Sequence, residues 1–347
     1  MLEELFYLFL FSFAVQLIMR KIAKTIGLAD RPNERKLHEG TFPLVGGLSI
    51  CIVLAQYLVF RTHDVPQSNM FVICISILAV IGAFDDKFDV SFKLRLVIQA
   101  LVSIAMINIA GIELHSLGNI LGLGSIELGF ISPILTVLAV IAAINAFNMI
   151  DGIDGLLGGL SIVTFLSLAY LLGADAHKGL SFLCLLIVTA MLPYTIMNLG
   201  LLGKRWKIFM GDAGSMLIGF TVIWLLLSAS QTPSTTSIRP VTALWLIAVP
   251  LMDMVTVVVR RAKRGDSPFR PDREHIHHIL QRIGFSSRQT LAIICTLATG
   301  LAGIGILGEI YRIEDYVMFY LFVFAFLAYA KILSYSRKTF TLASQKN

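Results

Sequence analysis

Polar residues in this chain are sparse and gathered into short clusters. Between the clusters lie unbroken apolar runs, not alternating or one-faced patterns. Eleven runs are legible, at about 2–19, 44–60, 70–84, 96–112, 131–147, 156–173, 180–199, 214–231, 241–259, 290–308 and 316–333. An apolar stretch of roughly 18 residues spans a bilayer as a helix, and a helix satisfies its own backbone donors and acceptors where no water can. The period-two alternation of a membrane barrel is absent. The pattern predicts an all-α, polytopic helical integral membrane protein with about 11 transmembrane helices. Composition agrees, with 56% of the 347 residues hydrophobic and 14% charged, against about 25% charged in soluble domains. That excludes a cytosolic globular enzyme, a disordered tail protein and a coiled coil.

The charges are sorted along the chain. Of the 28 Lys and Arg residues, 24 fall in one alternate set of connections: 20–43, 85–95, 148–155, 200–213, 260–289 and the tail from 331. Only Arg61, Lys178, Arg239 and Arg312 fall in the other set. Cytoplasmic loops carry the Lys and Arg excess, so the N-terminus is expected outside and the C-terminus in the cytoplasm. The net charge of +6 then reflects topology and contact with anionic membrane lipids, and no nucleic-acid partner is expected. Met1-Leu2-Glu3-Glu4 lacks the basic start of a cleavable signal, so the first run is read as a retained span. Cys51, Cys74, Cys184 and Cys295 all lie in apolar runs, and no disulfide framework is expected.

The longest connection, 260–289, has 30 residues, and segments below roughly 40 residues rarely fold alone. The chain is therefore expected to form one transmembrane domain over 1–347. Its active site must be assembled from helix ends and the cytoplasmic connections 20–43, 85–95, 148–155, 200–213 and 260–289.

Four of these connections carry chemistry. Asp85-Asp86-Lys87-Phe88-Asp89 closes the third run; adjacent carboxylates ionise together more easily beside a cation, and a continuing helix would put Asp85 and Asp89 on one face. Asn148-Met149-Ile150-Asp151-Gly152-Ile153-Asp154-Gly155 joins two runs with almost no loop, and its two Asp can converge on one ligand or ion. Gly211-Asp212-Ala213-Gly214-Ser215 opens the eighth run, where an Asp at a helix N-terminus can hold a metal beside a phosphate. Lys204, Arg205 and Lys207, just before it, read as positive-inside residues. The segment 260–278 is richest in cations and holds three of the seven histidines, in His275-Ile276-His277-His278. Imidazoles donate to phosphates, move protons or bind metals.

No Walker A sequence, Rossmann fingerprint or His-Glu-x-x-His zinc motif is present. Carboxylates that retain waters suit Mg²⁺ or Mn²⁺, and Mg²⁺ bridges phosphates. The residues thus point to metal-assisted phosphoryl transfer at the cytoplasmic interface with one lipidic substrate. An ion-coupled membrane transporter is the competing class, although transporters place their ionisable groups near the bilayer midplane. Asp253, about six residues inside the ninth run, is an intramembrane acid and so a functional candidate; pairing with a nearby Arg or Asn is its structural alternative. Gly300, Gly303, Gly305 and Gly308 are expected to allow close helix packing.

Taken together, these loops resemble the polyprenyl-phosphate N-acetylhexosamine-1-phosphate transferase family, of glycosyltransferase family 4 type. The resemblance rests on Asp85-Asp86-Lys87, Asn148 to Gly155, Phe209-Met210-Gly211-Asp212-Ala213-Gly214-Ser215 and His275-Ile276-His277-His278. Asp30-Arg31-Pro32-Asn33, Arg35-Lys36, His38 and Pro43 in the first loop also match. Ser267 to Arg273 ahead of the histidines is similar to the bacterial branch using undecaprenyl phosphate and N-acetylglucosamine, whereas Ile276 interrupts the consecutive histidines of the muramoyl-pentapeptide branch. The resemblance implies transfer of N-acetylglucosamine-1-phosphate from UDP-N-acetylglucosamine to undecaprenyl phosphate with release of UMP. It places the chain in the bacterial inner membrane, at the start of lipid-linked O-antigen or enterobacterial common antigen synthesis. Another UDP-N-acetylhexosamine, or teichoic acid initiation, remains open. A homodimer is also admitted.

By the same resemblance, Asp212 is a ligand for Mg²⁺ or Mn²⁺. Asp85 and Asp86 supply a further ligand or a base, a division left open. Asp151 and Asp154, with Asn148, bind the nucleotide-sugar or support the metal. His277, flanked by His275 and His278, contacts the diphosphate, aided by Arg264 or Lys36.

Overall fold

The computed structural model describes residues 1–30, 40–60, 65–173, 178–231, 238–267 and 274–344. In chain order its principal elements are α1 (Leu2–Ile26), β1 (Ala29–Asp30), β2 (Phe42–Pro43), α2 (Gly46–Phe60), α3 (Ser68–Phe88), α4 (Phe92–Ala110), α5 (Ser132–Ile150), α6 (Leu156–Gly173), α7 (Lys178–Asn198), α8 (Gly211–Gln231), α9 (Pro240–Leu246), α10 (Ala248–Lys263), α11 (Ile276–Arg282), α12 (Ser287–Ile310) and α13 (Asp315–Ser344). Each of the eleven apolar runs holds a helix or a helix pair. Among the described residues nine helices are long and apolar enough to cross a membrane. The bent pair α9–α10 makes a tenth candidate, and α2 is an apolar helix of only 15 residues. The protein is a multi-pass helical membrane protein.

α8 is the axis of the bundle, with every residue from Ala213 to Gln231 buried. Its hydroxyls cause no polar deficit there, because Thr221 donates to the Leu217 carbonyl (2.8 Å) and Ser230 to that of Leu226 (2.7 Å). The approach of α3 to α8 depends on one missing side chain. A Cβ on Gly82 would stand 2.3 Å from the Ala213 Cα, so the two backbones touch there. One turn later α3 delivers Asp85 and Asp86 to the first turn of α8. α3 then ends at Phe88, and Asp89 takes a left-handed capping conformation (φ 52°). The expected shared helical face of Asp85 and Asp89 is therefore not formed.

The ninth run is not the straight span expected. α9 and α10 meet at 82°. Pro250 explains the break, since it offers no N–H to the Leu246 carbonyl and its ring crowds that oxygen. The freed carbonyl instead accepts a hydrogen bond from Thr164 Oγ1 on α6 (3.1 Å), as an apolar setting requires.

The helix ends sort into two faces. On the sparsely charged face Arg239, at the head of α9, pairs with Glu309 at the end of α12 (3.3 Å) and with Asp315 at the start of α13 (3.1 Å). Asp315 also accepts the Asn119 N–H from the loop after α4 (3.0 Å). The glycine expectation holds for half its members: Gly305 packs on Trp245 and Gly308 on Met318, but Gly300 and Gly303 face open space. Cys51, Cys74, Cys184 and Cys295 are free.

Candidate active site

On the opposite face the short β1–β2 ladder is stitched to the strand-like stretch before α8. The Phe209 N–H donates to the Pro43 carbonyl (2.9 Å), and the Phe209 carbonyl accepts from Gly46 (3.0 Å). This ties the first connection to the fourth and leaves a cavity of about 780 Å³. Asp30, Asp86, Asn148, Asp151, Asp154, Tyr194, Asn198, Lys207, Asp212, Ser215, His278, Gln281 and Arg282 contribute to its wall.

Asp86 is a helix cap supplied from another helix. Its Oδ1 accepts the Asp212 N–H (2.9 Å) and its Oδ2 the Ala213 N–H (3.4 Å), two of the donors that the first turn of α8 leaves without intrahelical partners. Asp212 itself is oriented by Asn148, whose Nδ2 donates to Asp212 Oδ1 (2.5 Å) and to Ser215 Oγ (2.8 Å). Asp85 does not line the cavity. It is buried, with Arg95 Nη1 at 2.5 Å, and the same Arg95 nitrogen lies 3.7 Å from Asp212. One guanidinium on α4 therefore links the two carboxylates.

The 151–155 turn brings both of its Asp residues to the same cavity. The Gly155 N–H donates to Asn198 Oδ1 (2.6 Å), and Asn198 Nδ2 donates to the Ile208 carbonyl (2.9 Å). The turn is thus bolted to the end of α7 and to the segment before α8. Asp154 is held by Lys207 (2.5 Å), whose ammonium also lies about 5 Å from the rings of Phe42 and Phe209. Among the described residues Asp151 has no such partner. Burial, then the charges of Asp212 and Asp154, push its carboxyl up to about 7.

The histidine segment is held from beneath. Asp253 on α10, 1% exposed, lies 2.6 Å from His275 Nδ1 and accepts the Ile276 N–H (2.9 Å) and the Tyr329 hydroxyl (3.0 Å). Among the described residues the intramembrane acid therefore pairs with a histidine and a tyrosine, and not with the Arg or Asn of its structural alternative. His275 is buried, its ring parallel to that of His277 at 5.7 Å. His277 is buried with neither ring nitrogen hydrogen-bonded, and burial pushes its pKa down to about 3, aided by His278. It packs so closely on the turn that a Cβ on Gly152 would lie 2.0 Å from its Nε2. His278 is the imidazole that reaches the cavity wall.

The expected site residues thus divide. Asp86, Asn148, Asp151, Asp154, Asp212 and His278 share the cavity; Asp85, His275 and His277 support it from behind. Arg264 is turned away, paired with Glu274 (2.7 Å) and Asp266 (3.4 Å). Lys36 and His38 lie outside the described residues. Arg95, Lys207, Asn198, Gln281 and Arg282 also line or brace the site, and no motif in the sequence marks them. The first two were visible only as members of basic loops, and nothing in their own neighbourhoods tied them to particular carboxylates.

Among the described residues no three His, Cys, Asp or Glu side chains form a ready-made cage for a metal ion. Mg²⁺ does not need one, because it is commonly held by one or two carboxylates together with waters and substrate phosphates. Asp151, unpartnered and crowded by two further carboxylates, fits that donor set.

Comparison with known proteins agrees with this architecture. Glycosyl transferase family 4 matches residues 68–230, the stretch from α3 to α8. An undecaprenyl-phosphate alpha-N-acetylglucosaminyl 1-phosphate transferase of Yersinia pestis is 49% identical, covering 95% of this chain and 90% of its own. The Escherichia coli (strain K12) protein of that name is 48% identical over 94% and 89%. That of Haemophilus influenzae is 45% identical over 96% and 94%. With likeness running over almost its whole length, the chain belongs to glycosyl transferase family 4.

Proposed function

We propose that this protein transfers N-acetylglucosamine-1-phosphate from UDP-N-acetylglucosamine to undecaprenyl phosphate and releases UMP. The observation that carries the reading is the convergence of Asp86, Asn148, Asp151, Asp154, Asp212 and His278 on one cavity at the ends of membrane-spanning helices. Its volume is in the range of small-molecule sites. The names of the relatives support the same donor sugar and lipid acceptor. The cavity lies on the face bearing most of the Lys and Arg, which supports a cytoplasmic active site in a bacterial inner membrane. A role in initiating O-antigen or enterobacterial common antigen chains belongs to this proposal and rests on the resemblance of the loops.

In the proposed reaction an oxygen of the lipid phosphate attacks the β-phosphorus of the donor. The bond from that phosphorus to the bridging oxygen breaks, and the electron pair leaves with UMP. The acceptor phosphate is largely anionic near neutral pH, so the chain needs no dedicated base. Its work is positioning and charge neutralisation. Lys207 and Arg282 stand at the cavity wall to offset the diphosphate, and His278 to donate to it. Bound Mg²⁺ or Mn²⁺ would polarise the phosphoryl oxygens, with Asp212 and Asp151 holding it and Asp85 and Asp86 keeping Asp212 in place.

UMP release by the purified protein tests this. It is expected only with undecaprenyl phosphate and a divalent ion both present. Asp212→Asn is expected to lose about 100-fold or more in turnover, and His277→Ala most of its activity, while both still insert in the membrane. Full turnover by Asp212→Asn would remove Asp212 from the site, and full turnover by His277→Ala would remove His277 from its support. Solute movement across vesicles without a lipid product would favour the transporter.

A further inference from the structure

We propose a second ligand site, for the headgroup of an anionic glycerophospholipid, where the end of α1 meets the loop before α8. Trp206 is its floor. The Arg20 guanidinium carbon lies 5.2 Å from the indole centroid and that of Arg205 5.6 Å. Arg20 Nη2 donates to the Arg205 carbonyl. Arg20 is only 9% exposed, yet its Nε has no hydrogen-bond partner, and a buried donor left unsatisfied is costly. Among the described residues no carboxylate pairs with Arg20, Lys21, Lys24, Lys204 or Arg205. Two guanidiniums drawn to one ring, with three lysines on the same two segments, call for an anion.

The apolar surroundings identify which anion. Ile18, Ile22 and Ile26 stand at helical spacing on α1 and are 57%, 43% and 47% exposed. Leu201 and Leu202, which lead into the loop, are 64% and 43% exposed. A phosphate free in water has no use for such surfaces, whereas one carrying acyl chains covers them. Arg and Trp at the end of a membrane helix are the side chains suited to that depth. None of these residues lines the active-site cavity, but Lys207, next in sequence to Trp206, holds Asp154 there. A lipid bound at Arg20 and Arg205 would steady the turn that presents Lys207.

The tryptophans provide the probe. Trp206 is 37% exposed, whereas Trp224 and Trp245 are 1% and 2% exposed, so brominated acyl chains should quench chiefly Trp206. The full chain is reconstituted in phosphatidylcholine vesicles containing increasing brominated phosphatidylglycerol or, separately, brominated phosphatidylcholine. Trp206→Phe supplies the signal to subtract. The expected result is a preference for phosphatidylglycerol of about fivefold or more, the factor one cation contributes near an anionic surface. That preference should fall towards unity in Arg20→Ala and in the exposed-site variant Lys204→Gln/Arg205→Gln, the latter carrying the test if Arg20→Ala does not fold. Excess inorganic phosphate should leave it unchanged. Equal quenching by the two lipids, an undiminished preference in Lys204→Gln/Arg205→Gln, or displacement by inorganic phosphate would each overturn the proposal.

Discussion

Asp151 is the residue whose chemistry is most exposed to test. Its carboxyl stands near 7 in the folded chain, against 3.8 for an ordinary Asp. Between those values the folded state holds a proton that the unfolded state has lost, so its contribution to metal-free stability falls as pH rises through that window. A cation binding there must displace the proton. Affinity for Mn²⁺, followed by titration calorimetry, should therefore rise by up to about tenfold per pH unit below pH 7 and level off above it. Asp151→Asn should flatten that dependence; a parent protein with pH-independent affinity would contradict the assignment. Asn148→Ala, which frees Asp212, should cost roughly 10–100-fold in turnover, measured as UMP release, with helicity unchanged. At this scale the sequence exposed the carboxylates well, because Asp pairs at the ends of apolar runs have few structural uses. It exposed their partners poorly. Lys207 reaches Asp154 across 53 positions and Arg95 reaches Asp212 across 117, and no local pattern records such pairings.

At the scale of elements, the short helix α11 is positioned by a buried carboxylate one helix away. Asp253 takes the Ile276 N–H and His275 together, so it fixes both the start of α11 and the imidazole stack leading to His278. Asp253→Ala should lower kcat more than it raises KM for UDP-N-acetylglucosamine, by about 10–100-fold. Asp253→Asn, which still accepts the Ile276 N–H, should recover part of the loss. Equal activity of Asp253→Ala and parent would reduce Asp253 to a packing residue. The long helices were legible from run length alone, one helix or bent pair in each of the eleven runs, whereas the short α11 in the connection before α12 was not. The 82° turn between α9 and α10 was not, since proline within an apolar run is compatible with a continuous membrane helix. The outcome depended on Thr164, a residue of another helix, being placed to satisfy the Leu246 carbonyl.

For the whole molecule, the uneven distribution of Lys and Arg along the chain already contained the two-faced arrangement. Arg239, Glu309, Asp315 and Asn119 meet on one face, and all four chemical connections meet on the other. The cavity could not be read in the same way, because its wall draws on six separated stretches whose meeting depends on contacts such as Gly82 against Ala213. In the proposed reaction this cavity passes a sugar and its attached phosphate to a lipid phosphate. Donor UDP-N-acetylglucosamine radiolabelled at the β-phosphorus reports whether that phosphorus moves. The purified protein, given undecaprenyl phosphate and Mg²⁺, should carry the label into the lipid fraction and release unlabelled UMP. Label that stays in a released UDP, or fails to enter lipid at all, would contradict it.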